Sequence, residues 1–304
     1  MSVGNNEMIM KYAKDYSLSE LMVAVTSREI NDGETIFAGV GIPCLGALTA
    51  LLTHAPRAII ATEGGCIGPM PKRIMLGIGD NACVENAICA TSLWRLFSDQ
   101  QRGFFDVGML GGAQVDKYGN LNSTAIFGDG DYYNPAVRLP GSGGANDIAS
   151  SAKRTIIMIP LDKKRFIEKV DYVTSPGHID GSLREKLKLR GGGPSAVITN
   201  KCVFRFDKTT KEMYLDALFP DVTVDDVLSN MSFEVKVSPN LKTVEPPTVE
   251  EVEIIRTLDP NGIYTGDGLN KITFEEYIEM LENSLRDIGK LYMIKIGRQL
   301  ARGV

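Results

Sequence analysis

Glu63 closes the short apolar run RAIIAT (57–62) and stands immediately before Gly64 and Gly65. A carboxylate at the end of a buried strand, beside glycines that let a ligand approach the backbone, is placed for nucleophilic or acid–base work. The competing reading is ordinary, since most of the chain's 38 acidic side chains belong on solvated surface. A second group lies in GSGGAND (141–147). Successive N–H groups in such a turn can hold an anion or a developing oxyanion, which marks the loop as ligand-facing. It is neither a P-loop, lacking GKS or GKT, nor a full GxGxxG fingerprint, and a tight structural turn would look the same. A third glycine turn, Gly39-Val40-Gly41-Ile42-Pro43, leads from a strand into a helix, where free N–H groups meet anions. Packing explains that turn equally well.

Three other features carry less. Cys66 shares the Glu63 loop, but neither histidine is near it in sequence to lower its pKa, so an inert thiol is the favoured reading. His178, in TSPGHIDG, sits in a Gly/Pro turn and reads as structural or surface. Lys163, Lys164 and Arg165 could meet a phosphate, although a solvated basic turn accounts for them more simply.

The elements that must position these residues follow from periodicity. Apolar residues at 18, 21, 22 and 25 predict a helix, with Ser17 and Glu20 as its capping box and Gly33 ending the segment. Residues 34–38 and 57–62 predict buried strands, and 45–52 the helix between them. Residues 81–97 read as helix and 105–110 as strand. Two further apolar runs, 155–160 and 196–199, precede a polar turn at 207–210 and a short helix over 222–228. Residues 239–247 read as a linker. Thr273 and Glu276 open an amphipathic C-terminal helix. Alternation of strand, glycine turn and helix implies an α/β fold: an open, mainly parallel sheet with helices on both faces.

Composition narrows the class. At 304 residues, 43% hydrophobic and 23% charged, the chain suits a soluble enzyme-sized protein. A net charge of −5 without a long basic run argues against nucleic acid or an anionic membrane as partner. No apolar run reaches the roughly 18 residues of a membrane span, and the start lacks the pattern of a signal peptide. Five cysteines (44, 66, 83, 89, 202) without a CxxC pair, and only two histidines, make a disulfide framework or a metal site unexpected. The cytoplasm is the expected compartment.

Four stretches together resemble the β subunit of the glutaconate type of family I CoA-transferases: ATEGGCIGP (61–69), GGAQVDKYGNLNSTAI (111–126), GSGGANDIAS (141–150) and KKRFIEKVDYVTSPGHIDG (163–181). The GxGIP turn near residue 41 and IIRTLDPNG (254–262) also fit, and the order is kept over about residues 15 to 262. Two places depart from the family pattern. FGDGD (127–131) looks like extra loop, and Gly64 stands where a serine is expected.

The resemblance implies an α/β/α fold shared with ribose-5-phosphate isomerase-like proteins, over residues 1–262, with 263–304 as a C-terminal extension. It implies Glu63 as the catalytic nucleophile. Gly143 and Gly144 are its oxyanion loop, with Asn146 as a further oxyanion or CoA contact, and Val40–Gly41 is a second backbone donor site. It implies an α-type partner subunit in a hetero-oligomer, with the active site between subunits. No cofactor is held permanently, and a coenzyme A thioester and a carboxylic acid are the substrates. The expected activity is therefore transfer of CoA to a carboxylic acid, a dicarboxylic one among the candidates, through a glutamyl-CoA thioester. Relatives of the same fold that hydrolyse or decarboxylate CoA thioesters are the nearest alternative, and those lack the glutamate. An effector-binding domain is a more distant one, since residues 1–16 are too short for a helix-turn-helix. A structural subunit whose partner does the chemistry is another, decided by Glu63→Ala assayed with the partner present.

Overall fold

The computed structural model describes residues 11–71 and 74–266, together with 273, 275, 276, 278 and 279. Helix α1 (Leu18–Arg28) begins where the sequence places it. The Ser17 hydroxyl accepts the Glu20 N–H, and the Glu20 carboxylate accepts the Ser17 N–H. Strand β1 (Thr35–Ala38), helix α2 (Ile42–Leu52) and strand β2 (Ile59–Thr62) follow. Next come β3 (Cys66–Ile67), β4 (Cys89–Ala90), helix α3 (Leu93–Gln101) and β5 (Val107–Leu110). Two small hairpins, β6 (Gln114–Val115) with β7 (Leu121–Asn122) and β8 (Ala125–Ile126) with β9 (Val137–Arg138), lead to helix α4 (Ala145–Ser151) and β10 (Arg154–Met158). The chain then forms α5 (Leu183–Lys186), β11 (Pro194–Ile198), β12 (Cys202–Phe206), β13 (Met213–Leu218), α6 (Val224–Leu228), β14 (Lys236–Thr243) and α7 (Val249–Leu258).

One ten-stranded sheet runs β14-β13-β12-β11-β10-β5-β1-β2-β3-β4. Its centre, from β11 to β2 in that order, is parallel, and β14 lies parallel to β13 at one edge. Antiparallel pairs widen it on both sides. Side chains alternate faces along the central strands. Ile36, Ile156 and Ala196 pack with α1, α2 and α7, whereas Phe37, Ile157 and Val197 pack with α3 and α4. Helices therefore cover both faces, as expected. The crossover from β1 to β2 passes through α2 on one face, and that from β5 to β10 through α4 on the other. Strand order reverses beside β1, and in open α/β sheets ligands bind beyond the carboxyl ends of the strands at such a switch point.

Two expectations fail locally. Residues 81–97 are not one helix: a single 3₁₀ turn spans Asn81–Cys83, and helix begins only at Leu93. Strand pairing wins over local propensity here, because Cys66 pairs with Ala90 and Ile67 with Cys89. Asn86, at φ 51°, also breaks any continuous helix. Residues 239–247 are not a plain linker, since 236–243 form the edge strand β14. Its register with β13 shifts between Leu215 and Ala217, so Pro239 falls in an irregular stretch of an edge strand, where a missing N–H is tolerated. The C-terminal helix lies outside the described residues except at its start, where the capping box of Thr273 and Glu276 is present.

Candidate active site

Strand β2 is buried along Ile60, Ala61 and Thr62, and the next residue, Glu63, emerges half-buried at the sheet's carboxyl edge. The register of β1 on β2, with Phe37 opposite Ala61, brings the Gly39–Gly41 turn to the same edge one strand away. Gly41 has φ +104° and precedes the first turn of α2, a backbone conformation side chains disfavour. The turn makes no hydrogen bond with Glu63, and Val40 and Gly41 are both half-buried.

The glycine loop reaches Glu63 directly. The Gly144 N–H donates to Glu63 Oε1 at 2.9 Å. Among the described residues it is the one hydrogen bond of the Glu63 side chain, and none of them donates to Oε2. Gly144 cannot be another residue without displacement, because a Cβ there would overlap the Phe97 ring and lie 2.5 Å from Glu63 Oε1. Gly143 is exposed beside it, and a Cβ on it would stand 3.7 Å from the same oxygen. Asn146 is exposed, and its Oδ1 accepts the N–H of Asp147, so it turns back onto its own helix rather than bonding Glu63.

The backbone beyond Glu63 explains the departure at position 64. A Cβ on Gly64 would meet the Ile78 carbonyl oxygen at 2.8 Å, and one on Gly65 would overlap the Thr91 carbonyl. Ile78 thus occupies the space that a serine side chain at 64 would need. Phe97, Ile78 and Tyr264 escape a sequence reading, because nothing in their spacing points to residue 63. Phe97 walls Gly144 and leans on Phe37 at 5.3 Å between ring centroids. Tyr264 comes within 4.0 Å of where a Gly41 Cβ would stand, and its hydroxyl donates to the Met75 carbonyl at 2.5 Å.

The long central stretches that carry the resemblance are largely framework. In the β6–β7 hairpin Asp116 Oδ1 accepts the N–H groups of Tyr118 and Asn120, and burial pushes its carboxyl above the usual range. Asn120 Oδ1 accepts the N–H groups of Gly177 and Ile179. These buried polar groups are satisfied within the fold and brace the strand ends.

Cys66 is buried, and burial pushes its thiol up, away from reactivity. His178 is buried against Phe206, with Nε2 3.0 Å from the Pro194 carbonyl, and burial pushes it down to about 4. It braces a turn and stands apart from Glu63. Lys163 and Lys164 are exposed on a turn capped by Asp162, without a contact to the site. Among the described residues no cluster of His, Cys, Asp and Glu could hold a metal ion. No described helix is long and apolar enough to cross a membrane.

Known proteins resemble this chain in sequence and in fold. Residues 20–230 match the family model described as Coenzyme A transferase. The chain is 37% identical over 246 residues to the B subunit of 3-oxoadipate CoA-transferase from Pseudomonas knackmussii, covering 80% of this chain and 94% of that protein. It is 37% identical over 254 residues to the B subunit of glutaconate CoA-transferase from Acidaminococcus fermentans, covering 81% and 94% respectively. The crystal structure of glutaconate CoA-transferase from Acidaminococcus fermentans superposes with a TM-score of 0.77 at 35% identity, over 84% of this chain and 99% of that one.

Proposed function

This chain belongs to the coenzyme A transferase family, and we propose that Glu63 is the side chain on which its CoA-transferase activity turns. The observation that carries this reading is the 2.9 Å hydrogen bond from the Gly144 N–H to Glu63 Oε1, at the carboxyl edge of a parallel sheet. A nucleophilic carboxylate and a backbone donor are already side by side there, and the second carboxylate oxygen is available as the attacking atom.

Glu63 attacks the thioester carbonyl of an acyl-CoA, forming an acyl-glutamyl anhydride and releasing the CoA thiolate. The thiolate then attacks the glutamyl carbonyl, so that CoA is carried on Glu63 as a thioester and the first carboxylate leaves. An acceptor carboxylate reverses both steps, which gives ping-pong kinetics. Attack by a carboxylate oxygen, unlike attack by a hydroxyl, removes no proton from the nucleophile, so a histidine base is not required. Each attack passes through a tetrahedral oxyanion, and the Gly144 N–H is the nearest donor to receive it, with the Val40–Gly41 turn one strand away. A donor of this kind contributes about 3–4 kcal/mol to the transition state.

Both named relatives are B subunits, which implies a partner subunit for this chain. The partner belongs on the open side of Glu63, where Ile78, Leu93 and Trp94 are 49%, 50% and 69% exposed. Covering that side would also keep water from the anhydride and thioester. Glutaconate and 3-oxoadipate each carry two carboxylates, so a dicarboxylic acid is the acceptor class we favour.

The test is chemical trapping. The two-subunit enzyme is treated with acyl-CoA and then with borohydride or hydroxylamine, and peptides are read by mass spectrometry. Modification confined to the Glu63 peptide, dependent on acyl-CoA, is the expected result. An enzyme that turns over with Glu63 unmodified overturns the reading.

A further inference from the structure

Arg184 is 8% exposed, and its guanidinium has no carboxylate partner among the described residues. All three of its nitrogens donate to main-chain carbonyls instead. Nε reaches Gly191 O at 2.8 Å, Nη1 reaches Gly177 O at 2.8 Å and Pro176 O at 3.2 Å, and Nη2 reaches Ala149 O at 2.7 Å and Ser150 O at 3.4 Å. Burying a cation without a counter-charge is costly, and burial alone pushes this group down to about 10. Five carbonyls from three separate segments offset that cost.

Two of those carbonyls belong to the last turn of α4. This helix has only seven residues, about 10 Å of length. Its other end is Gly144, whose N–H touches Glu63. A rod that short transmits the position of one end to the other. The base of the glycine loop is fixed separately: the Gly141 N–H donates to Ser123 O at 2.8 Å, and the Ser123 N–H donates to Thr174 Oγ1 at 2.9 Å. Thr174, Pro176 and Gly177 are one continuous segment. The same stretch of chain therefore holds the loop's base through Thr174 and its far end through Arg184 and α4.

We propose that Arg184 is a positioning residue for transfer, clamping α4 to the 174–177 segment so that the Gly144 N–H is held at the place where the oxyanion forms. The inference rests on the proposed roles of Glu63 and Gly144. A displacement of about 1 Å at a catalytic donor lowers rate by up to about 100-fold, and the loss falls on the transition state rather than on substrate binding. Lysine at 184 keeps the charge but has three donors at one point, so it cannot serve three segments as the planar guanidinium does.

The experiment compares wild type, Arg184→Lys and Arg205→Lys, each assembled with the partner subunit. Arg205 pairs with Glu29 and serves as the control for losing a partly buried arginine away from Glu63. Arg184→Lys is expected to lower kcat about 10- to 100-fold with KM for acyl-CoA within about twofold, and to slow borohydride-trapped labelling of Glu63 by the same factor. Arg205→Lys is expected to lower stability but leave kcat unchanged. Arg184→Ala should regain activity in millimolar guanidinium and not in ammonium. Wild-type kcat and labelling rate in Arg184→Lys, or a loss carried by KM alone, overturns the proposal. Failure of both Arg184 variants to fold assigns the residue to folding and overturns it as well. Absence of a Glu63 label in wild type is a different outcome, which removes the transfer mechanism on which the inference stands.

Discussion

The Gly144 N–H and the Glu63 carboxylate meet at 2.9 Å although 81 positions separate them in sequence. They arrive from different elements. Glu63 is delivered by the end of β2, and Gly144 by the start of α4, the crossover helix between β5 and β10. Phe97 closes the space behind them, so donor and acceptor are held in one geometry before any substrate arrives.

Replacing Glu63 by glutamine should reduce transfer on the order of 10³-fold or more, because an amide neither attacks the thioester nor carries CoA. Glutamine can still accept the Gly144 N–H, so stability should change by no more than about 0.5 kcal/mol. Steady-state assay and urea titration of the same preparation check both halves.

Alanine at Gly144 adds a methyl group that would overlap the Phe97 ring and stand 2.5 Å from Glu63 Oε1. Overpacking should cost about 1–3 kcal/mol, and transfer should fall sharply. Adding Phe97→Leu should recover most of the stability and little of the activity, because the contact with Glu63 persists. Recovery of both would mean that the site needs space at Gly144 and not its placement against the carboxylate.

The thiols should be sorted by burial. Cys44 and Cys202 are pushed up to about 12, Cys66 and Cys83 are raised by burial, and Cys89 is exposed. Iodoacetamide at neutral pH should label the folded chain at Cys89 first and leave Cys66 unmodified. Peptide mapping gives the order, and rapid labelling of Cys66 would contradict the buried thiol beside Glu63.

Stability should fall on mild acidification through His178. Its folded value is near 4, below the ordinary 6.5, because of burial beside the cations Lys211 and Arg184. Between those values the unfolded chain binds a proton that the folded chain refuses. Stability is therefore undiminished above about pH 6.5 and declines as pH falls toward 4, by about 3 kcal/mol at the limit. Urea midpoints at pH 4.5 and 7 should differ less in His178→Gln than in wild type. Glu20, Glu34 and Asp106, held below the usual carboxylate range, add their own losses at lower pH.

Much of the fold is legible in the sequence because its signals are local. The Ser17–Glu20 box, the apolar runs of the central strands and the glycine turns at their ends each depend on residues a few positions apart, and the structure places elements there. Residues 81–97 defeat a local reading because pairing of Cys89 and Ala90 with Cys66 and Ile67 depends on a distant strand that no local pattern reveals. Pro239 signals a break, yet an edge strand with shifted register accommodates it.

The sequence by itself determined which residue types were available and where chain direction would change: a glutamate at the end of an apolar run, glycines in a later turn, almost no histidine. Periodicity and residue chemistry are properties of neighbours along the chain, so they survive without coordinates. Only the tertiary structure decided that Gly144 and not Asn146 faces Glu63, that Ile78 fills the place beside Gly64, and that a buried arginine at 184 holds the far end of α4. Those relations depend on which strands lie side by side and on the packing between faces, and contacts across tens of residues leave no periodic trace in one chain.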